Sequence, residues 1–236
     1  YNIGVDCADR CAAVEPDRIA LTEAQPDGGR RDVTYGELKA ASNRFANLLR
    51  AHGIGRGERV GILLPQAVET AVAHLGTYKA GSIAIPLFGL FGPEALQFRL
   101  ADSGAKAVVT DKAGAAKLAA IRNELPTLKV VFSIDGEGEG ALDFAAAMAG
   151  ESEDFTPAPT RADDPALIIY TSGTTGQPKG ALHAHRVLLG HLPGVEMSHD
   201  LLPKPGDRIW TPADWAWIGG LLDVLLPALH HGVPVV

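Results

Sequence analysis

The segment ALIIYTSGTTGQPKG, residues 166–180, sets an apolar run directly before a loop that is rich in glycine and hydroxyl side chains. The run ALII is typical of a buried strand. The loop YTSGTTGQPKG (170–180) contains four serine or threonine residues, three glycines and one lysine, and it has no acidic residue. A buried strand that runs into so many hydrogen-bond donors predicts a ligand-binding loop at the end of a sheet strand.

The composition of this loop suits a polyphosphate ligand. Glycines at positions Gly173 and Gly176 let backbone N–H groups approach a ligand, and successive N–H groups in such a turn can surround an anion. Lys179 adds a compact positive charge that suits phosphate oxygens. The hydroxyl donors of the loop are Thr171, Ser172, Thr174 and Thr175. On residue types alone, a solvated surface turn that is rich in serine, threonine and glycine is the alternative.

Two familiar signatures do not match the loop. A Walker loop has four residues between its glycines and a Lys-Ser/Thr pair directly after the second glycine. Here two residues separate Gly173 from Gly176, and Lys179 comes three residues later. Ser172 also lacks the Gly-x-Ser-x-Gly setting of a hydrolase nucleophile. The loop therefore predicts phosphate binding of another type.

Apolar strands alternate with helices along the chain before the loop. The strand-like runs are RVGILLP, SIAIPL, AKAVVT and LKVVFSI, and the helical segments between them are QAVETAVAHLGTYKA, PEALQFRLADSG and KLAAIRNEL. This alternation predicts an α/β fold with a doubly wound, mostly parallel sheet and helices on both faces. An N-terminal helix ending near Pro16, two strands around PDGG (26–29) and a helix that begins with a Thr34–Glu37 capping box precede it.

The segment AGESEDFTPAPTRADDP (149–165) is acidic, contains prolines and has no periodicity, so it is typical of a linker. We therefore divide the chain into a first α/β subdomain, residues 1–160, and the start of a second one, residues 161–236. In the second part we expect a helix from about His185, a strand at DRIWT (207–211) and an apolar helix at LLDVLLPAL (221–229). Because the chain begins with Tyr1 and ends in the strand-like HGVPVV, we expect it to be a fragment.

Charge and composition disfavour several classes of function. The net charge is -7 and the basic residues are scattered, which argues against nucleic acid or an anionic membrane surface as the main partner. No apolar run reaches the ~18 residues of a membrane span. Cys7 and Cys11 are interpreted as small core residues rather than a disulfide or metal pair, which favours a cytosolic location. His183 and His185 have no partner at ligand spacing, so we expect no zinc site.

Four segments resemble the adenylate-forming superfamily, which includes acyl-CoA synthetases, adenylation domains of peptide synthetases and firefly luciferases. YTSGTTGQPKG closely resembles the phosphate-binding loop of that superfamily. VTYGEL (33–38) and TYKAGSIAIPL (77–87) resemble two of its earlier motifs. TPADWAWIGGLLDVLLPALHHGVPVV (211–236) resembles the version of the following segment found in acyl-CoA synthetases. The resemblance covers essentially the whole chain in the expected order.

The resemblance implies an AMP-forming acid–thiol ligase. Such enzymes join a short- or medium-chain carboxylic acid to ATP, release pyrophosphate and transfer the acyl group to CoA, with Mg²⁺ bound to the phosphates. The residues expected around the β- and γ-phosphates are Thr171, Ser172, Gly173, Thr174, Thr175, Gly176 and Lys179. The catalytic lysine and the motifs for adenine and ribose are expected beyond residue 236, so the 236-residue piece alone is expected to be inactive.

The resemblance also implies an acyl pocket in PADWAWIGG (212–220). Trp217 matches the tryptophan that limits the reach of the acyl tail in short-chain acyl-CoA synthetases, and Asp214 and Gly219 lie beside it in sequence. Simple packing between helix and sheet is an open alternative for Trp217 and the favoured one for Trp215. For Asp214 a cap on the following helix is favoured over a substrate contact.

Two other functions stay open. Adenylation of an amino acid or for a carrier protein is one, although the Phe-Asp pair typical of amino-acid activation is missing here. A non-catalytic module that binds ATP is the other. The acid itself and the oligomeric state are not indicated by the sequence.

Overall fold

The fold is built on a seven-stranded sheet with a separate two-stranded hairpin. The structure is a computed structural model that describes residues 1–25, 27–171 and 176–236. Its strands are β1 (Ile19–Ala24), β2 (Arg30–Thr34), β3 (Arg59–Leu63), β4 (Ile83–Pro86), β5 (Ala107–Thr110), β6 (Val130–Ser133), β7 (Leu142–Asp143), β8 (Pro165–Thr171) and β9 (Lys179–Ala184). The first two form the hairpin, as the turn signal PDGG predicts.

The helices connect and cover these strands. They are α1 (Val5–Asp9 continuing as Arg10–Ala12), α2 (Tyr35–Ala51), α3 (Val68–Lys79), α4 (Pro93–Ser103), α5 (Lys112–Ala120), α6 (Phe144–Ala149), α7 (Val187–Ser198) and α8 (Ile218–Gly220, Leu221–Leu225 and Leu226–His231 in succession). A single 3₁₀ turn spans Arg122–Glu124. Helix α2 begins at the predicted capping box, in which the Glu37 N–H donates to Thr34 Oγ1 at 3.2 Å.

The large sheet has the order β7-β6-β5-β3-β4-β8-β9. All neighbouring strands are parallel except β8 and β9, which form an antiparallel hairpin. Strand β8 joins the sheet through a single pairing of Ala84 with Leu167. The predicted subdomain boundary near residue 160 stays a prediction, and the strands on its two sides belong to one sheet.

Side chains of the parallel strands alternate between two hydrophobic cores. Val60 and Ile62 of β3, like Val109 of β5, pack in the core that also contains residues of α1, α2, α3 and α8. Val108 and Val131 point to the opposite face, into a smaller core with residues of α4 and α5. Because both faces of each strand are buried, the strands are continuously apolar. The predicted doubly wound fold with helices on both faces is confirmed.

Two details of the chain after residue 160 differ from the sequence predictions. DRIWT forms no strand, because only Ile209 makes an isolated parallel bridge to Val235. The helix expected from His185 begins two residues later, at Val187. His185 itself follows β9 and is fully buried. Its Nδ1 accepts a hydrogen bond from the N–H of Ile3, so it holds the segment around Ile3 rather than starting a helix.

Two buried histidines flank the Tyr78 side chain in the larger core. The Tyr78 ring lies 5.8 Å from the His74 ring and 6.1 Å from the His185 ring, centroid to centroid. The Nε2 atoms of both imidazoles are buried and lack a hydrogen-bond partner in the described part of the chain. Burial lowers the pKa of His74 to about 3. Burial lowers the pKa of His185 to about 4.

These histidines predict a loss of stability in mild acid. Both folded-state pKa values lie below the ordinary histidine value, so below about pH 6.5 the unfolded chain binds more protons than the folded chain. Stability is fully present above that pH, and we expect the free energy of unfolding to fall by roughly 3 to 4 kcal/mol between pH 7 and pH 5. Urea unfolding across this range measures the loss. An equal loss in the His74→Gln His185→Gln double variant would contradict the prediction.

Candidate functional site

The predicted phosphate loop closes the β8–β9 hairpin. Thr171 ends β8 and Lys179 begins β9, and the two residues pair across the hairpin. The Thr171 hydroxyl donates to the Lys179 carbonyl oxygen at 3.4 Å. Because β8 runs parallel to β4, the loop emerges at the carboxyl edge of the sheet, where α/β folds commonly bind ligands.

The described parts of the loop are open to solvent. Thr171, Gly176 and Lys179 are exposed, and nothing lies within 4 Å of the place where a Cβ on Gly176 would stand. Lys179 is therefore exposed to solvent at the carboxyl edge of the sheet. The remaining predicted phosphate contacts lie outside the described residues and stay predictions; they are Ser172, Gly173, Thr174 and Thr175.

Tyr170, the first residue of the loop, is hydrogen-bonded to helix α4. Its hydroxyl lies 2.6 Å from Asp102 Oδ2 and 3.1 Å from the carbonyl oxygen of Arg99, and it donates toward both acceptors. Burial chiefly, and then the Asp102 carboxylate, raise the pKa of the Tyr170 hydroxyl, which therefore stays protonated. The Arg99 guanidinium lies 5.7 Å from the Tyr170 ring centroid and 4.1 Å from that of Phe91. These contacts fix the residue that directly precedes the loop.

In the segment PADWAWIGG, residues 212–217 form a turn, and Ile218–Gly220 begin helix α8. The Asp214 carboxylate accepts a hydrogen bond from the Ala216 N–H at 2.8 Å, and the Asp214 carbonyl accepts one from the Trp217 N–H at 3.0 Å. Burial raises the pKa of Asp214. Trp215 is buried in the core, whereas Trp217 is 54% exposed. The turn thus directs the two tryptophans to opposite environments.

Trp217 lines a small apolar cavity beside the phosphate loop. Its ring lies 5.5 Å from the Phe88 ring at an interplanar angle of 52°. The cavity has a volume of about 30 Å³ and is lined by Pro86, Phe88, Phe91, Ile169, Tyr170, Ala216 and Trp217. Since Tyr170 belongs to both features, the structure brings the predicted acyl residue and the start of the loop together.

Two site residues have no counterpart in the sequence analysis. Phe88 and Phe91 follow the carboxyl end of β4 in the segment FGLFG (88–92) and form part of the same cavity. Two aromatic residues among glycines, directly after a buried strand, are the signal that could have indicated them. Gly219 is the second residue of α8, and Asp223 Oδ2 lies 3.6 Å from the place where a Cβ on Gly219 would stand.

The described residues contain neither a metal-binding cluster nor a membrane-spanning helix. In residues 1–25, 27–171 and 176–236, no three His, Cys, Asp or Glu side chains form a group that could hold a metal ion. None of the helices in these ranges combines the length and the apolar character needed to cross a membrane. Both cysteine thiols are free, with Cys7 buried and Cys11 partly buried.

Several known proteins resemble this chain in sequence and in fold. Acetyl-coenzyme A synthetase of Novosphingobium aromaticivorans is 35% identical over 255 residues, an alignment that covers 100% of this chain and 39% of the relative. The crystal structure of an acyl-CoA synthetase from Brucella canis superposes with a TM-score of 0.87 at 33% identity, covering 100% of this chain and 42% of that protein.

A second solved structure is the anthranilate CoA ligase AuaEII in complex with anthranoyl-AMP, with a TM-score of 0.89 and 25% identity. It is covered to 45% by this chain, which is itself covered completely. The chain therefore spans about two fifths of the length of the curated relatives it matches. Residues 8–236 match the family described as AMP-binding enzyme. The chain belongs to the AMP-binding enzyme family.

Proposed function

We propose that the protein is an AMP-forming acyl-CoA synthetase for a short- or medium-chain carboxylic acid. In the first step a carboxylate oxygen attacks the α-phosphorus of ATP, and the bond to the bridging oxygen breaks to release pyrophosphate. In the second step the sulfur of CoA replaces AMP on the acyl carbon. The observation that carries the proposal is the β8–β9 hairpin, which presents Thr171 and Lys179 at the carboxyl edge of the sheet.

The hairpin would act on the leaving group. Pyrophosphate gains negative charge as it departs, and a fixed ammonium group with several N–H and O–H donors stabilises that charge without reorganising. Among the described residues, the proposed set contains Lys179, Gly176 and Thr171, whose hydroxyl would turn from the Lys179 carbonyl to a phosphate oxygen. Ser172, Gly173, Thr174 and Thr175 complete the set. Mg²⁺ would enter with the nucleotide, since phosphate oxygens are ligands that this ion prefers.

The acyl side of the site would be formed by the turn before α8. Trp217, with Phe88 and Phe91, supplies an apolar wall next to Tyr170. Gly219 leaves room at the start of α8, and Asp214 shapes the turn through its bond to the Ala216 N–H. A wall of this kind suits an apolar acyl chain of limited length.

Asp214 also bears on the main alternative, adenylation of an amino acid. A carboxylate that binds a substrate ammonium group must be free and ionised. Here the Asp214 carboxylate accepts the Ala216 N–H at 2.8 Å and so holds the turn before α8. This role in the turn favours a simple carboxylic acid over an amino acid. We further propose a cytoplasmic enzyme of fatty-acid metabolism.

The proposal is tested with the complete protein that contains these residues. We expect ATP–pyrophosphate exchange that depends on an added acid such as butanoate or hexanoate, followed by a CoA thioester when CoA is supplied. Acyl transfer to a carrier protein but not to CoA would favour the rival adenylation enzyme. ATP binding without exchange for any acid would favour a non-catalytic module.

The attachment of Tyr170 to α4 gives a further prediction for the complete enzyme. Tyr170→Phe keeps the ring but removes the hydroxyl that binds Asp102 and the Arg99 carbonyl. Because the loop would lose its fixed starting point, we expect the KM for ATP to rise about tenfold, the usual effect of one hydrogen bond to a charged group. The KM for the acid should change much less.

A matched control is available for this variant. Tyr35→Phe also removes a buried tyrosine hydroxyl, which donates to the Leu229 carbonyl at 2.9 Å on the side of α2 and α8. It should lower thermal stability without raising the KM for ATP. Equal KM values in the two variants would show that the Tyr170 hydroxyl has only a structural role.

A further inference from the structure

Gln66 connects the carboxyl end of β3 to the 212–217 turn. It lies in the short segment 64–67 between β3 and α3. Its side-chain nitrogen Nε2 donates to the Thr211 carbonyl oxygen at 3.1 Å and to the Ala213 carbonyl oxygen at 2.6 Å. The amide group has two N–H donors, so these two bonds use both of them. Gln66 therefore binds backbone that follows it by 145 and 147 positions in the sequence.

The backbone that carries Gln66 is itself held in place by helix α3. Thr70 on the first turn of α3 is buried, and its hydroxyl donates to the Pro65 carbonyl oxygen at 2.5 Å. The ring of Pro65 also restricts the backbone directly before Gln66. The Gln66 amide group is therefore presented from a segment with little freedom to move, although the side chain itself is exposed.

The 212–217 turn has mostly local hydrogen bonds besides those from Gln66. Among the described residues, the Ala213 N–H donates to Thr211 Oγ1 at 3.0 Å, and the Trp217 N–H donates to the Asp214 carbonyl oxygen at 3.0 Å. Bonds of this kind shape a turn but do not fix where it lies relative to the sheet. The buried Trp215 side chain fixes one side of the turn by packing, and the two bonds from Gln66 fix the other.

The carbonyl group that Gln66 binds lies directly against helix α8. A Cβ on Gly220 would stand 2.9 Å from the Ala213 carbonyl oxygen and 2.5 Å from the Asp214 carbonyl oxygen, which is too close for a real side chain. The backbone of the turn is thus enclosed between Gln66 and α8. Because the Trp217 N–H is bound to the second of these carbonyls, a shift of the turn would move Trp217 as well.

We propose that Gln66 is a positioning residue for the acyl side of the site, because it sets the place of Trp217 relative to Phe88. The inference rests on the proposed function. Since β3 and β4 are parallel neighbours, Gln66 and Phe88 both follow strands at the carboxyl edge of the sheet. A link from Gln66 to the turn therefore holds Trp217 at the edge that carries Phe88. Gln66 does not line the cavity of Trp217, so it acts through the turn and not by contact with the acid.

The test uses ATP–pyrophosphate exchange by the complete protein with butanoate, hexanoate and octanoate. Gln66→Leu keeps the approximate size of the side chain and removes both donors. We expect the KM for the acid to rise about fivefold, the usual effect of one neutral hydrogen bond, while the KM for ATP changes by less than about twofold. The ratio of kcat/KM for butanoate to that for octanoate should move toward one, because a less firmly held Trp217 discriminates less between chain lengths.

Three further variants separate positioning from a general loss of structure. Gln66→Glu has the same shape but places only acceptors opposite two carbonyl oxygens, so its effect should exceed that of Gln66→Leu. Gln66→Arg keeps N–H donors on a long side chain and should retain most of the wild-type behaviour. The matched control is Gln25→Leu, directly after β1, where the lost amide donates to Glu23 Oε2 at 3.0 Å. It should change neither the KM for the acid nor the preference for chain length.

The outcomes separate the role of Gln66 from the proposed function. A wild-type KM for the acid in Gln66→Leu or in Gln66→Glu would overturn the positioning role and leave the acyl-CoA synthetase standing. Equal rises in the KM for the acid and the KM for ATP would also overturn it, since they would show a general structural role. If no acid supports exchange by the unsubstituted protein, the proposed function fails, and the inference about Gln66 fails with it.

Discussion

Replacing Lys179 with methionine is expected to lower the rate of ATP–pyrophosphate exchange by about a hundredfold to a thousandfold, the range seen when one group that stabilises developing charge is removed. Lys179 stands at the first position of β9, exposed at the carboxyl edge, and pairs with Thr171 across the loop. Methionine keeps the length and the apolar stem of the side chain. The loss therefore reports on the ammonium group and not on the fold.

The control for this prediction is Lys129→Met. Lys129 directly precedes β6, at the amino edge of the same parallel sheet, and its ammonium group lies 3.4 Å from the Gly53 carbonyl. Removing this lysine changes the net charge equally but leaves the proposed phosphate site untouched, so exchange should stay near the wild-type rate. Equal exchange rates in the two variants would show that Lys179 does not stabilise the departing pyrophosphate.

The Asp9→Ala substitution is expected to destabilise the fold by about 3 to 5 kcal/mol, the usual cost of breaking a buried ion pair. Lys79 is fully buried, and its ammonium group lies 2.5 Å from Asp9 Oδ1. It also donates to Ser42 Oγ and Asn43 Oδ1, each at 2.8 Å. Burial lowers the pKa of Lys79 to about 8 even though Asp9 opposes that shift. Without Asp9 a charge stays buried with neutral partners only.

Urea unfolding at neutral pH measures this effect. In the Asp9→Ala Lys79→Met double variant no charge is left unpaired, so much of the lost free energy of unfolding should return. The double variant should be more stable than Asp9→Ala alone. If the two are equally unstable, the cost comes from lost packing between α1 and α3 and not from the unpaired ammonium group.

The parallel sheet could be predicted from the sequence because its strands are buried on both faces. Val60, Val108 and Val131 belong to continuous apolar runs, and the helices between these runs have clear starts and ends. DRIWT was predicted wrongly because its composition suits a strand, while only Ile209 finds a bridging partner, at Val235. Local composition indicates a tendency to form a strand, and a partner strand decides whether one forms.

Only part of the candidate site could be predicted from the sequence. The loop at 170–180 is contiguous, so its chemistry could be predicted from residue types in one segment. Phe88 and Trp217 meet at 5.5 Å although 129 positions separate them in the sequence. The pair of His191 and Asp223 likewise forms only when α7 packs beside α8. Contacts of this kind depend on tertiary packing, which no local pattern encodes.

The most direct test of the central claim follows an oxygen atom through the first reaction. The complete protein is incubated with ATP, CoA and an acid whose carboxylate is labelled with heavy oxygen, and the products are analysed by mass spectrometry. Attack of the carboxylate on the α-phosphorus, as proposed, predicts that one labelled oxygen appears in AMP. Labelled inorganic phosphate together with unlabelled ADP would instead show attack on the γ-phosphorus, and it would contradict the account.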